Sequence, residues 1–182
     1  GLACQVLDKA QMAALGMGAL LGVAQGSDQP ARFIVLEHNA GRSDLDTVVL
    51  VGKAITFDSG GISLKPGADM GAMKGDMAGG AAVLGTMRTA AALQLPLHVV
   101  GLVPATENLP GGDSYKPGDV VKAMNGTTIE IISTDAEGRL ILADGLCYAA
   151  RYQPQAIVDI ATLTGAKVID LGEPATGLFS NN

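Results

Sequence analysis

Four short apolar runs, each followed by a polar or glycine-rich segment, constrain the fold of this chain most. They lie at residues 32–37, 47–52, 98–103 and 155–160. Their length and β-branched content predict buried strands. A fifth run, 127–132, is also short and β-branched and predicts another strand.

Three longer segments predict helices between these strands. Residues 8–25 place apolar side chains at helical spacing behind Asp8, which suits an N-cap, and residues 81–93 and 140–150 follow the same pattern. Hydrophobic residues make up 48% of the chain but aromatic residues only 3%, so the core is built from aliphatic side chains. This composition is typical of mixed or mostly parallel sheets covered by helices, and we predict an α/β fold.

At 182 residues, the chain is long enough for one domain with a substantial core, and no linker or repeat divides it. We therefore treat residues 1–182 as one folding unit. The first residue is Gly1, not Met, and the last residues, 179–182, carry no terminating element. These ends predict a fragment of a longer protein.

The charge pattern and apolar content exclude several classes of function. A net charge of −6 with no basic run argues against nucleic acid as a partner. The least polar stretch, 12–24, is shorter than the roughly 20 residues that span a bilayer, and it resembles no signal peptide. Cys4 and Cys147 match no metal-binding spacing, which predicts two buried free thiols. We expect a soluble cytoplasmic protein without a membrane partner.

Residues 133–139 place two carboxylates and a guanidinium at the junction of a predicted strand and a predicted helix. Asp135 and Glu137 are two residues apart and would diverge on a regular helix, but they can converge where a strand ends and a helix begins. An ordinary structural explanation also exists. Asp135 would then cap the helix, Glu137 would complement the helix dipole, and Arg139 would be a solvated surface cation.

Two more acids lie at predicted element ends. Asp58 follows the second strand and stands between Lys53 and Lys65, beside a double glycine that can form a turn. Asp76 precedes the helix at 81–93, where capping is the ordinary explanation.

Four acids gathered by folding repel one another unless they are protonated or bound to cations. Divalent metal ions are the simplest partner, and carboxylates that bridge two ions about 3.5 to 4 Å apart are typical of hydrolytic Zn²⁺, Mn²⁺ or Mg²⁺ sites. A lysine joins such a site only as the neutral amine, whereas a protonated lysine can stabilise an oxyanion.

Other sites receive less support from the sequence. His38 and His98 form no spaced pair, so a histidine zinc site or a Ser-His-Asp triad is poorly supported, and His98 is interpreted as structural. Gly79 and Gly80 suggest a phosphate cradle, but no nucleotide-binding motif surrounds them. The predicted loop at 104–117 has a length that is often functional.

Four segments together resemble the leucyl (cytosol) aminopeptidase family of dinuclear metallopeptidases: VGKAITFDSGGISLKP, MKGDMAGGAAV, STDAEGRLILAD and DIATLTGA. The resemblance extends over essentially all 182 residues. It implies the first part of that family's C-terminal catalytic domain, a three-layer α/β sandwich like that of the zinc exopeptidases. It also implies removal of N-terminal residues from peptides, with leucine and other apolar residues preferred, and assembly of the full-length protein into hexamers.

The resemblance assigns roles by matching positions. It implies that one, more loosely held ion is bound by Lys53, Asp58, Asp76 and Glu137. It implies that the tighter ion is bound by Asp58, Asp135 and Glu137. The ions would be Zn²⁺ or Mn²⁺, with Mg²⁺ or Co²⁺ as further candidates. The resemblance also makes Lys65 the lysine that stabilises the oxyanion and Arg139 the residue that holds a bicarbonate acting as general base. The matching substrate-pocket positions are Met73, Thr162 and Gly165.

Two positions depart from the family pattern. Ser133 stands where the family usually has Asn, and Ala54 stands where it commonly has Gly. Neither is an implied ligand, so we expect altered loop packing or substrate fit, with metal binding retained. Two alternatives stay open: a non-catalytic metal-binding or assembly fragment, and a nucleotide-binding α/β domain that rests on glycine richness alone.

Overall fold

The computed structural model describes residues 1–181, which form an α/β fold. The strands are β1 Leu2–Leu7, β2 Arg32–His38, β3 Thr47–Gly52, β4 Ala54–Asp58, β5 His98–Asn108, β6 Val120–Lys122, β7 Thr128–Glu130 and β8 Ala156–Ile160. The α-helices are α1 Lys9–Ala14, α2 Gly18–Ala24, α3 Ala78–Ala92, α4 Glu137–Ala149 and α5 Ala166–Leu171. Short 3₁₀ helices lie at Met70–Gly75, Thr134–Ala136 and Ala150–Tyr152.

The main sheet is mixed and has the order β1-β2-β5-β3-β8, with β4 also paired to β5. The pairings of β3 with β5, β3 with β8 and β4 with β5 are parallel, while β1 with β2 and β2 with β5 are antiparallel. The parallel strands β4, β5 and β8 therefore bring their carboxyl ends to the same side of the sheet, which is where sites form in such folds.

Helices cover the sheet on both faces. Phe33 and Val35 of β2 pack with α1, α2 and α4 in one hydrophobic core, while Leu36 of the same strand packs with α3 in a second core. This alternation follows from the two-residue period of a strand, which points successive side chains to opposite faces. The predicted mixed, mostly parallel sheet flanked by helices is confirmed.

β5 is long enough to pair with two successive strands, and this pairing determines the position of Lys53 between them. Its first half pairs with β3 and its second half with β4, so Lys53 lies at the step between these two strands. The Lys53 backbone N–H donates to Ile160 at 3.0 Å, and its carbonyl accepts from Gly80 at 2.7 Å. The step between the strands is thus fixed by the end of β8 and the start of α3.

Several sequence predictions of local structure were wrong. The segment 8–25 is two helices, because Gly16 adopts a positive φ of 75° that no continuous helix allows. The run 127–132 contributes only the three residues of β7, which pairs with β6 in a separate hairpin. The predicted loop at 104–117 begins later, since β5 continues to Asn108. The strands β1, β4 and β6 were not predicted. Asp8 does cap α1, and its side chain accepts the Gln11 N–H.

The two cysteines and His38 also differ from expectation. Cys4 is exposed on β1 and Cys147 is half-buried, so both are free but neither is fully buried. His38 ends β2 and is buried, although the sequence places it in a polar loop. Within the described residues, no helix combines the length and the apolar character needed to cross a membrane.

Asp144 of α4 is a fully buried acid that caps α2 from far along the chain. Its Oδ2 accepts the Leu20 N–H at 2.8 Å, in the first turn of α2, and its Oδ1 accepts the Met124 N–H at 2.8 Å. The N-cap residue of α2, Met17, offers no capping side chain of its own. Asp144 therefore joins three separate segments of the fold.

Replacing Asp144 by Asn should lower the free energy of unfolding by about 1–3 kcal/mol, because one of the two backbone N–H donors then faces an amide N–H instead of an oxygen. Urea unfolding followed by circular dichroism measures this change. The exposed Asp159→Asn serves as the matched control. An unaltered unfolding midpoint in Asp144→Asn would contradict the capping role.

The carboxyl group of Asp144 should also make the stability of the unmodified chain depend on pH, whereas Asp144→Asn lacks this dependence. Burial raises the pKa of Asp144 above the ordinary value, although the backbone N–H donors oppose the shift. The folded chain therefore keeps this proton to higher pH than the unfolded chain, and stability from this group falls as pH rises through the folded pKa. The stability difference between the unmodified chain and Asp144→Asn should thus shrink as pH rises above about 4, the ordinary pKa of an aspartate.

Candidate metal centre

Four acidic side chains converge at the carboxyl side of the parallel strands. Asp58 is the last residue of β4, and Asp76 follows the 3₁₀ helix Met70–Gly75. Asp135 lies in the 3₁₀ helix Thr134–Ala136, and Glu137 is the first residue of α4. Each acid thus lies at an element end, as the sequence indicates. Asp76 caps no helix, since the N-cap of α3 is Met77.

Three of these acids form a compact, buried group, which we call the acid cluster: Asp58, Asp76 and Glu137. One carboxylate oxygen of each lies within 4.8 Å of the others. Their relative exposures are 3%, 7% and 2%, so water reaches none of them freely. Buried carboxylates so close together need cations or protons as partners.

Lys53 is the first cationic partner of the acid cluster. Its Nζ lies 2.8 Å from Asp76 Oδ2 and 2.8 Å from Glu137 Oε1, and it donates to the Thr162 carbonyl at 3.1 Å. Burial alone lowers the pKa of this lysine, but Glu137 and Asp76 outweigh that effect and raise its pKa overall. Lys53 is therefore an ammonium between two carboxylates.

Lys65 is the second cationic partner, and it lies nearer to solvent. Its Nζ lies 3.0 Å from Asp58 Oδ2 and also forms an ion pair with Asp135 Oδ1. Burial opposes its charge, but these two carboxylates raise its pKa and keep it protonated. The side chain is 24% exposed compared with 3% for Lys53, so Lys65 is the cation that an incoming molecule can reach.

The centre keeps an excess of negative charge. Four carboxylates face only two ammonium groups, and burial raises the pKa of both Asp76 and Glu137 although Lys53 opposes the shift. A divalent cation among the oxygens would relieve this desolvation and repulsion. The all-oxygen carboxylate donors with a nearby amine suit Mn²⁺, Mg²⁺ or Zn²⁺, so the residues present fit a metal site.

A reciprocal hydrogen-bonded clasp joins the two loops that carry the acids. Thr134 Oγ1 donates to the Gly60 carbonyl at 2.6 Å and accepts the Ser63 N–H at 2.8 Å, while its own N–H donates to Ser63 Oγ at 3.1 Å. A Cβ on Gly61, whose φ is 70°, would lie 2.9 Å from Thr134 Oγ1. The double glycine therefore lets the Asp58 loop close against the loop of Asp135.

Gly138 gives Lys53 its place beside α4. A Cβ at this position would lie 2.9 Å from both Cε and Nζ of Lys53. That lysine is buried and held by two carboxylates, so it has little freedom to move away. The glycine in the first turn of α4 is thus explained by the close approach of an ammonium.

Replacing Gly138 by Ala should displace Lys53 and weaken metal binding, although alanine favours the helix by about 1 kcal/mol at an ordinary helical position. Calorimetric titration with Mn²⁺ measures the affinity, and urea unfolding measures the stability. Gly85→Ala, on the open face of α3, is the control because nothing lies within 4 Å of its Cβ position. Equal affinities in the two variants would contradict the steric role of Gly138.

The other predicted site residues lie around this centre at different distances. Thr162 contacts it directly, since its Oγ1 donates to Asp76 Oδ1 at 2.7 Å. Met73 accepts the Asp76 N–H at 3.2 Å through its carbonyl, and Gly165 stands at the start of α5. Arg139 is exposed in the first turn of α4, and its side chain forms no hydrogen bond or ion pair with the described residues.

The two departures from the family pattern lie outside the ligand set. Ser133 is the N-cap of the 3₁₀ helix Thr134–Ala136, and its Oγ accepts the Asp135 N–H at 3.2 Å. Ala54 is buried in the core beneath α3. His98 is also remote from the centre, because it bonds to Thr47 and Glu37 at the opposite ends of the strands. These contacts agree with its structural interpretation.

Sequence reasoning missed two residues that hold the centre together. Asn108 donates through Nδ2 to Asp58 Oδ1 at 2.8 Å, and Tyr115 donates through its hydroxyl to the Thr134 carbonyl at 2.8 Å. Burial raises the pKa of Tyr115, and the nearby acids raise it further, so it stays a donor. The only sequence signal was their position in the segment predicted as a long loop.

The α/β fold and the buried acids with their lysines define a domain with a candidate metal centre. The family model described as "Cytosol aminopeptidase family, catalytic domain" matches residues 1–182, and the chain belongs to this family. It is 60% identical over 181 residues to a probable cytosol aminopeptidase of Methylobacillus flagellatus and 61% identical over 182 residues to one of Geotalea uraniireducens. All of this chain is covered in both cases, but only 36% and 37% of those relatives. The chain thus spans little more than a third of their length.

Proposed function

We propose that this chain carries the catalytic metal centre of an aminopeptidase that releases the N-terminal residue of peptides, with leucine and other apolar residues preferred. The observation that carries the proposal is the acid cluster, buried at the carboxyl ends of the strands and held by Lys53 and Lys65. Membership of the cytosol aminopeptidase family supports the reaction.

The donor set divides into two overlapping groups. In this proposal, one ion is held by Lys53, Asp58, Asp76 and Glu137. A second, tighter ion is held by Asp58, Asp135 and Glu137. Zn²⁺ and Mn²⁺ are the first candidates, and Mg²⁺ and Co²⁺ follow. When bound, such ions acidify a water molecule and polarise the carbonyl of the bond to be cleaved. Lys53 joins as a ligand only after it loses its proton.

The remaining residues bind and orient the substrate. Lys65 pairs with Asp58 and Asp135 in this structure; it would keep its charge when bound ions replace it at these oxygens, and it stabilises the negative charge that develops on the carbonyl oxygen. Arg139 is unpaired among the described residues and holds a bicarbonate that acts as general base. Thr162, bonded to Asp76, lines the substrate pocket with Met73 and Gly165.

Replacing Arg139 by Ala should slow turnover by about 10²-fold, the lower end of the contribution of a general base, and leave metal content nearly unchanged. The physical reason is that Arg139 contacts none of the proposed ligands. Turnover with and without added bicarbonate, together with metal analysis, checks this expectation. Loss of bound metal in Arg139→Ala would contradict the assigned role.

The direct test of the proposed function is hydrolysis of leucine p-nitroanilide with added Mn²⁺ or Zn²⁺. It should be measured for this chain and for a version extended at both ends to the length of its relatives. Asp135→Asn should abolish turnover in any active version. Undiminished activity of that variant would refute the assignment.

A second candidate is a non-catalytic metal-binding or assembly fragment. The observation that favours it is the exposure of β8, where Ile157 and Val158 are both more than 40% exposed at the edge of the sheet. Metal binding by the chain without hydrolysis, combined with hydrolysis by the extended version, would support this candidate. Assembly into a hexamer is proposed only for the extended protein, and gel filtration of both versions tests it.

A further inference from the structure

Asn108 occupies a fixed position at the centre of the site. It is the last residue of β5, lies opposite Asp58 in the register of β4, and has no exposed surface. Its carbonyl accepts the N–H of Ser59 at 3.0 Å and the hydroxyl of the same serine at 2.8 Å. The backbone of Asn108 is therefore tied to the loop that follows Asp58.

The side-chain amide of Asn108 reaches three acceptors from one nitrogen. Nδ2 lies 2.8 Å from Asp58 Oδ1, 3.0 Å from the Thr134 carbonyl and 3.4 Å from Glu137 Oε2. The opposite orientation of the amide would place oxygen against these oxygens. The surrounding acceptors therefore fix which end of the amide faces the acids.

The oxygen end of the amide has no comparable partner. Asn108 Oδ1 is buried and accepts no hydrogen bond from the described residues. The backbone of Gly61 lies beside this oxygen, since a Cβ added there would be only 3.0 Å away, but it donates no hydrogen bond to it. An apolar side chain would pack here without an unpaired oxygen, so packing alone does not explain an amide at this position.

In Asp58 and in Glu137, the two oxygens of the carboxylate have different kinds of partner. Asp58 Oδ1 accepts from Asn108 and from the Gly60 N–H at 2.9 Å, whereas Oδ2 faces the Lys65 ammonium. Glu137 shows the same division, with Oε2 towards Asn108 and Oε1 towards Lys53. In both acids, one oxygen accepts hydrogen bonds from uncharged N–H groups and the other faces a lysine ammonium.

We propose that Asn108 is a positioning residue that orients Asp58 and Glu137 so that one oxygen of each is directed towards a bound metal ion. This inference rests on the proposed function, because those two acids are the proposed bridging ligands. The amide is uncharged, so it holds the carboxylates without neutralising the charge that attracts the cation. Such outer partners of metal ligands typically change affinity by about 10- to 100-fold.

The test compares Asn108→Ala with Thr106→Val in the 182-residue chain. Thr106 is buried in the same strand, and its hydroxyl donates to the Glu107 carbonyl at 3.1 Å without touching the acids. Calorimetric titration with Mn²⁺ should show affinity about 10- to 100-fold weaker in Asn108→Ala and unchanged in Thr106→Val. Urea unfolding without metal separates a loss of affinity from a loss of stability.

Each outcome decides the proposal. Unchanged affinity in Asn108→Ala, or an equal loss in Thr106→Val, would overturn the positioning role while leaving the metal site standing. An unmodified chain that binds no Mn²⁺ would overturn the proposed function and this inference together. If Asn108→Ala does not fold, the same Mn²⁺ titration is made with Asn108→Ser. It keeps one donor on a shorter side chain and should still bind Mn²⁺ more weakly than the unmodified chain.

Discussion

Replacing Glu137 by Gln should remove tight metal binding from this chain. Glu137 is almost completely buried, contacts Lys53 and Asn108, and belongs to both proposed donor groups. The expected loss of affinity exceeds the about 10- to 100-fold typical of an outer-shell partner, because this change removes a ligand charge. Titration with Mn²⁺ measures it. The thermal midpoint of the variant should no longer rise with added metal, since a ligand stabilises only the folded state that binds it.

The metal-free variant should remain folded, and this makes the result interpretable. Burial raises the pKa of Glu137, and a neutral amide of similar shape avoids the cost of burying this charge. The Lys53 ammonium keeps Asp76 as its charged partner in the variant. Glu130→Gln on the exposed hairpin strand β7 is the control for loss of one acid. Tight binding that persists in Glu137→Gln would remove this residue from the ligand set.

The second large effect is expected from Lys65→Ala. Lys65 lies between Asp58 and Asp135 on the solvent side of the centre, and its raised pKa keeps it charged at neutral pH. If it stabilises the oxyanion, its loss should lower turnover by about 10²- to 10³-fold. The measurement is kcat for leucine p-nitroanilide in whichever version of the chain is active.

Metal content distinguishes this role from a structural one. Lys65 competes with a cation for the oxygens of Asp58 and Asp135, so metal should be retained or bound more tightly in Lys65→Ala. Lys122→Ala, exposed on β6, controls for the loss of one positive charge. Unchanged kcat in Lys65→Ala would exclude it from the chemistry.

The convergence of the acids was predictable because it follows from general rules of α/β folds. Thr162 follows β8, which was predicted, whereas Asp58 ends β4, which the sequence did not separate from the second strand; both strands run parallel within one sheet. Parallel strands bring their carboxyl ends to one side, so polar residues at those ends meet. Glu137 at the start of a helix could be placed there by the same reasoning.

The supporting contacts could not be predicted, because they depend on register and on distant parts of the chain. Asn108 reaches Asp58 only because β5 runs beyond the apolar stretch that signals a strand. Asp144 accepts a hydrogen bond from Leu20, which lies 124 residues earlier in the chain, and no local sequence pattern predicts such a distant partner. The break at Gly16 also depends on a backbone angle, since glycine alone does not end every helix.

An anomalous difference map from crystals of this chain grown with Mn²⁺ would show directly whether the four acids bind metal ions. We expect peaks among the oxygens of Asp58, Asp76, Asp135 and Glu137. The ion pairs of these oxygens with Lys53 and Lys65 should then be broken. Peaks elsewhere, or acids still bound only to the two lysines at saturating metal, would contradict the proposed metal centre.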